Sequence, residues 1–212
     1  NYAGDTPAHI AALEGHTQVI VALHQAKVDV NTQNYAGDTP AHAATLGEHT
    51  QVIIAMHQIE ADLNISNKEG ETPVHIAASK GDAQMIEILL QARVDLNKQN
   101  KNGNTPAHIA VLQEHEHIIT ALHQAGADLN KQNKGGIAPM HIAALQGYDH
   151  IIQVLHKAKV NLNIQSKKGF LPVHLAALFG RTQAIRILHE AGVDLDKTDN
   201  EGNTPIHHAN FY

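Results

Sequence analysis

The chain has 212 residues, a formal net charge of −6, three Phe, four Tyr, no Trp and no Cys. Without Cys, a disulfide framework and a thiolate metal site are both excluded. No apolar run approaches the roughly 20 residues of a membrane span, and the acidic balance argues against a general nucleic-acid binder, which would be basic. The shortage of aromatic residues suits a thin core of Ala, Leu, Ile and Val.

In chain order, the first predicted element is a turn over residues 1–4, with Gly4 where φ must be positive. A short helix follows from Pro7. Thr6 is a suitable N-cap, and Pro suits the first helical position because its missing N–H has no intrahelical partner there. A second helix begins near His16, with Ile20 and Leu23 at helical spacing. An extended segment, Val28-Asp29-Val30-Asn31, closes the unit as a hairpin-like finger. Then the whole pattern returns, displaced by 33 residues.

It returns without insertion or deletion to the end of the chain. The motif copies are Thr6-Pro7-Ala8-His9, Thr39-Pro40-Ala41-His42, Thr72-Pro73-Val74-His75, Thr105-Pro106-Ala107-His108, Ala138-Pro139-Met140-His141, Leu171-Pro172-Val173-His174 and Thr204-Pro205-Ile206-His207. A fixed period of 20–50 residues signals a solenoid in which each repeat contacts its neighbours. The units are 1–33, 34–66, 67–99, 100–132, 133–165, 166–198 and a partial 199–212, expected to form one continuous domain. No signal peptide is visible and the chain begins inside a repeat, so it reads as a fragment of a longer chain. Gly recurs at the fourth position of every unit and Ala at the eleventh, where a small side chain lets neighbouring helices approach closely.

The Gly-x-Thr-Pro-x-His-x-Ala-Ala run, the period of 33 and closes such as Gly126-Ala127-Asp128-Leu129-Asn130 resemble the ankyrin-repeat family across the whole chain. The resemblance implies an all-α fold: a curved solenoid of stacked helix pairs with short β-hairpin-like fingers. It also implies non-catalytic repeats that bind another protein through the concave face and fingertips. The chain departs from the family pattern in four ways. Ala, Val, Met or Ile follows the Pro where the family usually has Leu. His24, His57, His123, His156 and His189 stand where the second helix usually ends in Leu. Lys27, Glu60, Arg93 and Lys159 replace the closing Gly, each at about 1 kcal/mol if the left-handed conformation is kept. Ala138 and Leu171 replace the capping Thr, so restoring Thr should supply an acceptor for orphan helix N–H groups.

Eighteen His invite a metal or catalytic reading, but fifteen recur by repeat position: seven in the motif, five at helix ends, and His16, His49 and His115. The motif His reads as a neutral structural group bonded to the capping Thr hydroxyl and a nearby backbone carbonyl. All twelve motif and helix-end His are expected to be at least partly buried. His115 and His117, beside Glu114 and Glu116, form the densest ligand-like cluster, but a spacing of two on a helix turns the rings apart. His207-His208 reads as incidental. No nucleophile elbow, phosphate loop or kinase set is present, so neither catalysis nor a cofactor is expected.

The charge is uneven. Residues 1–66 carry Lys27 against seven acids, and the remaining residues carry fourteen of each sign. Eight Lys fall at fingertips from the third unit onward: Lys68, Lys98, Lys101, Lys131, Lys134, Lys167, Lys168 and Lys197. They read either as solvated charges keeping hairpins soluble or as a ridge for an acidic, extended partner segment. The candidate partner-binding residues are Lys68, Lys101, Lys134, Lys167, Lys168 and Phe170, with Leu112, Leu145, Leu178 and Phe179 on the first-helix surface. Phe170, Phe179, Phe211 and Tyr212 read as a C-terminal aromatic cluster, either a binding hot spot or a face that a further repeat would cover. By the family resemblance, Asn31, Asn97, Asn130 and Asn163 look like the hairpin Asn that asparaginyl hydroxylases modify. The expected role is a monomeric, cytoplasmic protein-interaction scaffold, with no membrane contact and no nucleic acid. The alternative is the substrate-targeting module of a larger enzyme or of a secreted bacterial effector acting in host cytoplasm. The Asn/Gln/His/Ile-rich, Arg-poor composition resembles ankyrin proteins of intracellular bacteria or of other AT-rich genomes.

Overall fold

The structure is a computed structural model that describes residues 3–209. In each full unit the helix pair falls where the pattern places it. The first helices are α1 (Pro7–Leu13), α3 (Pro40–Leu46), α5 (Pro73–Lys80), α7 (Pro106–Leu112), α9 (Pro139–Gln146) and α11 (Pro172–Leu178). The second helices are α2 (Thr17–Gln25), α4 (Thr50–Gln58), α6 (Ala83–Gln91), α8 (Glu116–Gln124), α10 (Asp149–Lys157) and α12 (Thr182–Glu190). Last comes α13 (Pro205–Ala209). Among the described residues there is no β-strand, so the fingers are hairpin-like turns without a ladder.

The chain divides into two compact units, residues 1–101 and 102–212. In the first, α1, α3 and α5 pack side by side and α2, α4 and α6 form a second row. In the second, α7, α9, α11 and α13 make one row and α8, α10 and α12 the other. Helices this short are marginal alone, and their stability comes from packing. Ala44, Ala77, Ala110, Ala143 and Ala176 are fully enclosed, as close helix approach requires, and Ile53, Met56, Ile86, Leu89, Ile119, Leu122, Ile152 and Leu155 fill the space between rows.

The recurrent finger Gly has two reasons to be Gly. Its φ is positive, for example 81° at Gly37 and 80° at Gly103. A Cβ there would also lie 2.6 Å from the Lys68 nitrogen and 2.5 Å from the Lys134 nitrogen respectively, on the backbone of the next finger. The left-handed closing position is kept despite its substitutions, with φ of 66° at Lys27, 59° at Glu60, 55° at Arg93 and 58° at Lys159. A second set of left-handed positions lies in the inter-helix turn, where Glu48 (φ 61°) and Glu114 (φ 62°) stand in place of the Gly15, Gly81, Gly147 and Gly180 of sister units.

Candidate functional site

Within each compact unit, the motif His holds consecutive repeats together. Its Nδ1 accepts the backbone N–H of the N-cap residue, at 3.0 Å for Thr39 to His42 and 3.1 Å for Thr105 to His108. That leaves Nε2 protonated, and it donates to a carbonyl 29 residues ahead, in the next finger. The distances are 2.8 Å for His9 to Asp38, 2.9 Å for His42 to Glu71, 2.9 Å for His108 to Ile137, 2.9 Å for His141 to Phe170 and 3.1 Å for His174 to Asn203. The Thr hydroxyl lies 2.9 Å from the same Nδ1 in Thr6, Thr39, Thr72 and Thr105. Both partners expected for this His are therefore present, but the carbonyl belongs to the neighbouring unit.

The role of Thr is corrected. It makes no side-chain bond to a helix N–H. The third helical N–H instead reaches the N-cap carbonyl, as in His75 to Thr72 (2.9 Å), His141 to Ala138 (2.9 Å) and His174 to Leu171 (3.0 Å). With Ala138 and Leu171 the third helical N–H thus keeps its partner, and their own N–H groups still reach His141 and His174.

Burial shifts four of the motif imidazoles toward neutrality. His108 is lowered to about 4, by burial first, against the opposing pull of the Ile137 carbonyl. Burial likewise lowers His42, His141 and His174. The expected burial of the helix-end His is wrong: His24, His57, His123, His156 and His189 are all exposed, because the position after the core Leu or Met points outward. His207, the last motif copy, is also exposed.

A second link joins the finger bases. Asn34 Oδ1 accepts N–H from Ala36 and Asp38 while its Nδ2 donates to Asp5 at 2.7 Å. Asn67 does the same for Glu69, Glu71 and Asp38, and Asn133 for Gly135, Ile137 and Asn104. Where the acceptor in the previous finger becomes Ile137 or Phe170, the Asn becomes Ser166 or Asp199. Asp199 turns its remaining oxygen to His208 Nε2 at 2.7 Å. Burial works against the Asp199 carboxylate, but the Asn203 and Glu201 N–H groups and His208 outweigh it and hold it below the usual range. His208 is therefore not incidental. Its ring also meets Phe170 edge-on at 5.1 Å and His174 at 5.7 Å.

The fingertips are placed by main-chain bonds. Lys68 N–H donates to Ala36 and Lys101 N–H to Glu69 in the first unit, and Lys134 N–H to Asn102 in the second. Lys68, Lys101, Lys134, Lys167, Lys168 and Lys197 are exposed. Lys98 is half-buried, donating to the Asn64 carbonyl at 2.7 Å, and Lys131 is half-buried too. Lys101 lies 3.5 Å from Glu69. On the first-helix surface Leu112 and Phe179 are exposed, Phe179 at 45 %, whereas Leu145 and Leu178 are half-buried. Of the aromatic cluster, Phe211 and Tyr212 lie outside the described residues. The recorded ring partners of Phe170 are His174 and His208.

Of the candidate modification sites, Asn31 and Asn130 accept the N–H of Asp62 (3.0 Å) and Asn161 (2.8 Å) through Oδ1. Asn97 and Asn163 carry the local bond to the residue two before, Asp95 and Asn161. Asn64, not among the candidates, accepts from Asp95 in the same way as Asn31. His115 precedes α8 as its N-cap, so the helical projection does not apply, and its ring lies 5.9 Å from that of His117. Among the described residues no group of three or more His, Cys, Asp or Glu is arranged to hold a metal ion. No described helix is long and apolar enough to cross a membrane.

Short helix pairs, clamped unit to unit by His and presenting ordered fingertips, define a helical-repeat interaction module. The chain belongs to the ankyrin-repeat family: a family model described as ankyrin repeats in three copies matches residues 48–133 and 140–211, and one described as many copies matches 8–57 and 113–156. Among solved structures it is similar to the ankyrin repeat domain of Bcl-3, a member of the IkappaB protein family. That match has a TM-score of 0.89 and 25% identity, over 95% of this chain and 92% of that one. It also shares the fold of the human ASB11 ankyrin repeat domain, with a TM-score of 0.81 and 22% identity over 97% and 92% of the two chains. No curated protein sequence matches it. Ankyrin repeat domains are protein–protein interaction modules, typically non-catalytic, and this chain is one.

Proposed function

We propose that the chain takes up acidic, extended segments of a partner protein on its Lys-bearing fingertips. Lys68 and Lys101 serve in the first unit, and Lys134, Lys167 and Lys168 in the second. The observation that carries this reading is the main-chain bond from the fingertip Lys to the finger before it, at Lys68 to Ala36, Lys101 to Glu69 and Lys134 to Asn102. The bond fixes the base of an exposed cation, so little backbone order remains to be lost on binding. The test is charge reversal. Lys101→Glu, Lys134→Glu and Lys167→Glu together should abolish capture of an acidic partner and leave the melting curve unchanged, since exposed substitutions act weakly on stability. Binding should weaken with salt, because exposed charges are screened beyond a Debye length of about 8 Å. Capture that survives the triple reversal sinks this reading.

The exposed apolar side chains favour a second reading in the second unit, with Leu112 and Phe179 as contacts and Leu145 and Leu178 beside them. Phe179→Ala and Leu112→Ala would then reduce capture independently of salt. Phe170 is a poor probe, because its ring packs on His174 and His208. Hydroxylation of Asn31, Asn97, Asn130 and Asn163 is a further part of the proposal. Treatment with an active asparaginyl hydroxylase should add one oxygen mass per modified site, and an unchanged intact mass removes it.

A further inference from the structure

The tenth position of each full unit lies on the first helix, exposed at Ile10, half-buried at Ala43, Ile76 and Ile109, and buried at Ile142 and Leu175. It is Ile10, Ile76, Ile109, Ile142 and Leu175 in five units and Ala43 in the second. The small side chain leaves a gap between Ile10 and Ile76, and the structure has a groove of about 330 Å³ there. Its floor is aliphatic, with Ile10, Leu13, Ala43, Leu46 and Ile76. Three of these are large apolar side chains left open to solvent, Leu46 at 57 %. The rim is acidic. Asp5 and Asp38 line the groove, and no Lys or Arg is among its lining residues. Beside it stands Tyr35, 71 % exposed, its ring resting within 3 Å of where a Gly4 side chain would begin.

We propose that this groove receives one bulky aliphatic side chain from a cationic segment of a partner protein, with Asp5, Asp38 and the Tyr35 ring taking Lys or Arg on either side of it. The charge of the region selects that partner, since residues 1–66 carry seven acids against Lys27. Complementary charge steers encounter and rejects acidic segments, a cation over an exposed Tyr face is attracted by the ring quadrupole, and the aliphatic floor gains by losing water. The site is opposite in charge preference to the Lys fingertips, although it rests on the same reading of the chain as an interaction module.

Fluorescence anisotropy on the full chain tests it. The probe is a fluorescein-labelled peptide with one central Leu between Lys-Arg pairs. Saturable binding is expected, and it should disappear when the peptide cations are exchanged for Glu. Ala43→Ile installs the side chain found in sister units, fills the groove, and should weaken binding about tenfold or more by blocking burial of the Leu. Asp5→Asn with Asp38→Asn keeps the finger link, because Asn104 already accepts from Asn133 at 2.8 Å. That double variant should weaken binding about tenfold and flatten its salt dependence. Should Ala43→Ile fail to fold by circular dichroism, Leu46→Ser at the exposed floor replaces it. No saturable binding, or unchanged affinity in the groove variants, overturns the proposal. The Lys101, Lys134, Lys167 triple reversal leaves this peptide bound, so the fingertip reading and the groove reading fail separately.

Discussion

The finger bases of the first unit and of the later part of the second are stitched differently. In the first, Asn34 and Asn67 each gather two N–H groups of their own finger and donate to an Asp in the finger before. In the second, the same positions end as Ser166 opposite Ile137 and Asp199 opposite Phe170. There Ser166 keeps a bond to the Phe170 N–H, and Asp199 has turned to His208. An amide N–H facing an apolar side chain would lack a partner, so the two positions change together. The His clamp, by contrast, occurs in both units. The clamp is the constant feature of the stack, and the finger link is where the sequence is free to vary.

The largest effect should come from attacking the constant feature with acid. His42, His108, His141 and His174 are held below their ordinary value by burial. Protonation would also put a proton on Nδ1, where the N-cap N–H already points. The unfolded chain takes up protons first, so stability is full above about pH 6.5 and is lost as pH falls toward the folded values. His108, lowered to about 4, contributes on the order of 3 kcal/mol over that window. Melting temperature should fall steadily from pH 7 to pH 4, and a flat profile would remove the clamp as a source of stability.

Next comes deletion of one clamp. His108→Ala leaves the buried Thr105 N–H unpaired, takes one of two donors from the Ile137 carbonyl and opens a cavity, at about 2–4 kcal/mol. His207→Ala, at the exposed last copy, should change stability by less than about 0.5 kcal/mol. Equal effects in denaturant melts would show that the clamp does not depend on burial. A smaller difference should separate the two kinds of finger. Asn67→Ala removes three bonds and should be destabilising by about 1–3 kcal/mol, whereas Ser166→Ala removes one, at about 1 kcal/mol. If Ser166→Ala is the more damaging, the Asn link is not the stronger of the two.

Relief of backbone strain should give the smallest gains. Lys27→Gly and Arg93→Gly should each stabilise by about 1 kcal/mol, since both hold positive φ where Gly126 and Gly192 stand in sister units. Glu48→Gly should gain less, because Glu48 bridges Lys80 at 2.9 Å. Gains in the reverse order would mean that the bridge contributes nothing and that strain differs between the two turns.

The period of 33, the Thr-Pro start, the recurrent Gly and the Ala at position eleven determined the helix pairs and their boundaries nearly to the residue. These are local properties: capping, φ preference and helical spacing are written in adjacent residues. The left-handed closing positions were legible for the same reason. What only the tertiary structure decided concerns contacts beyond adjacent residues. The carbonyl taken by each motif His, the switch from Asn–Asp to Asp199–His208, the exposure of the helix-end His, and the gap left by Ala43 depend on which faces of neighbouring units meet. A single substitution such as Ile to Ala reads as conservative along the chain. It becomes a groove only when two neighbouring helices hold their own Ile and Leu on either side of it.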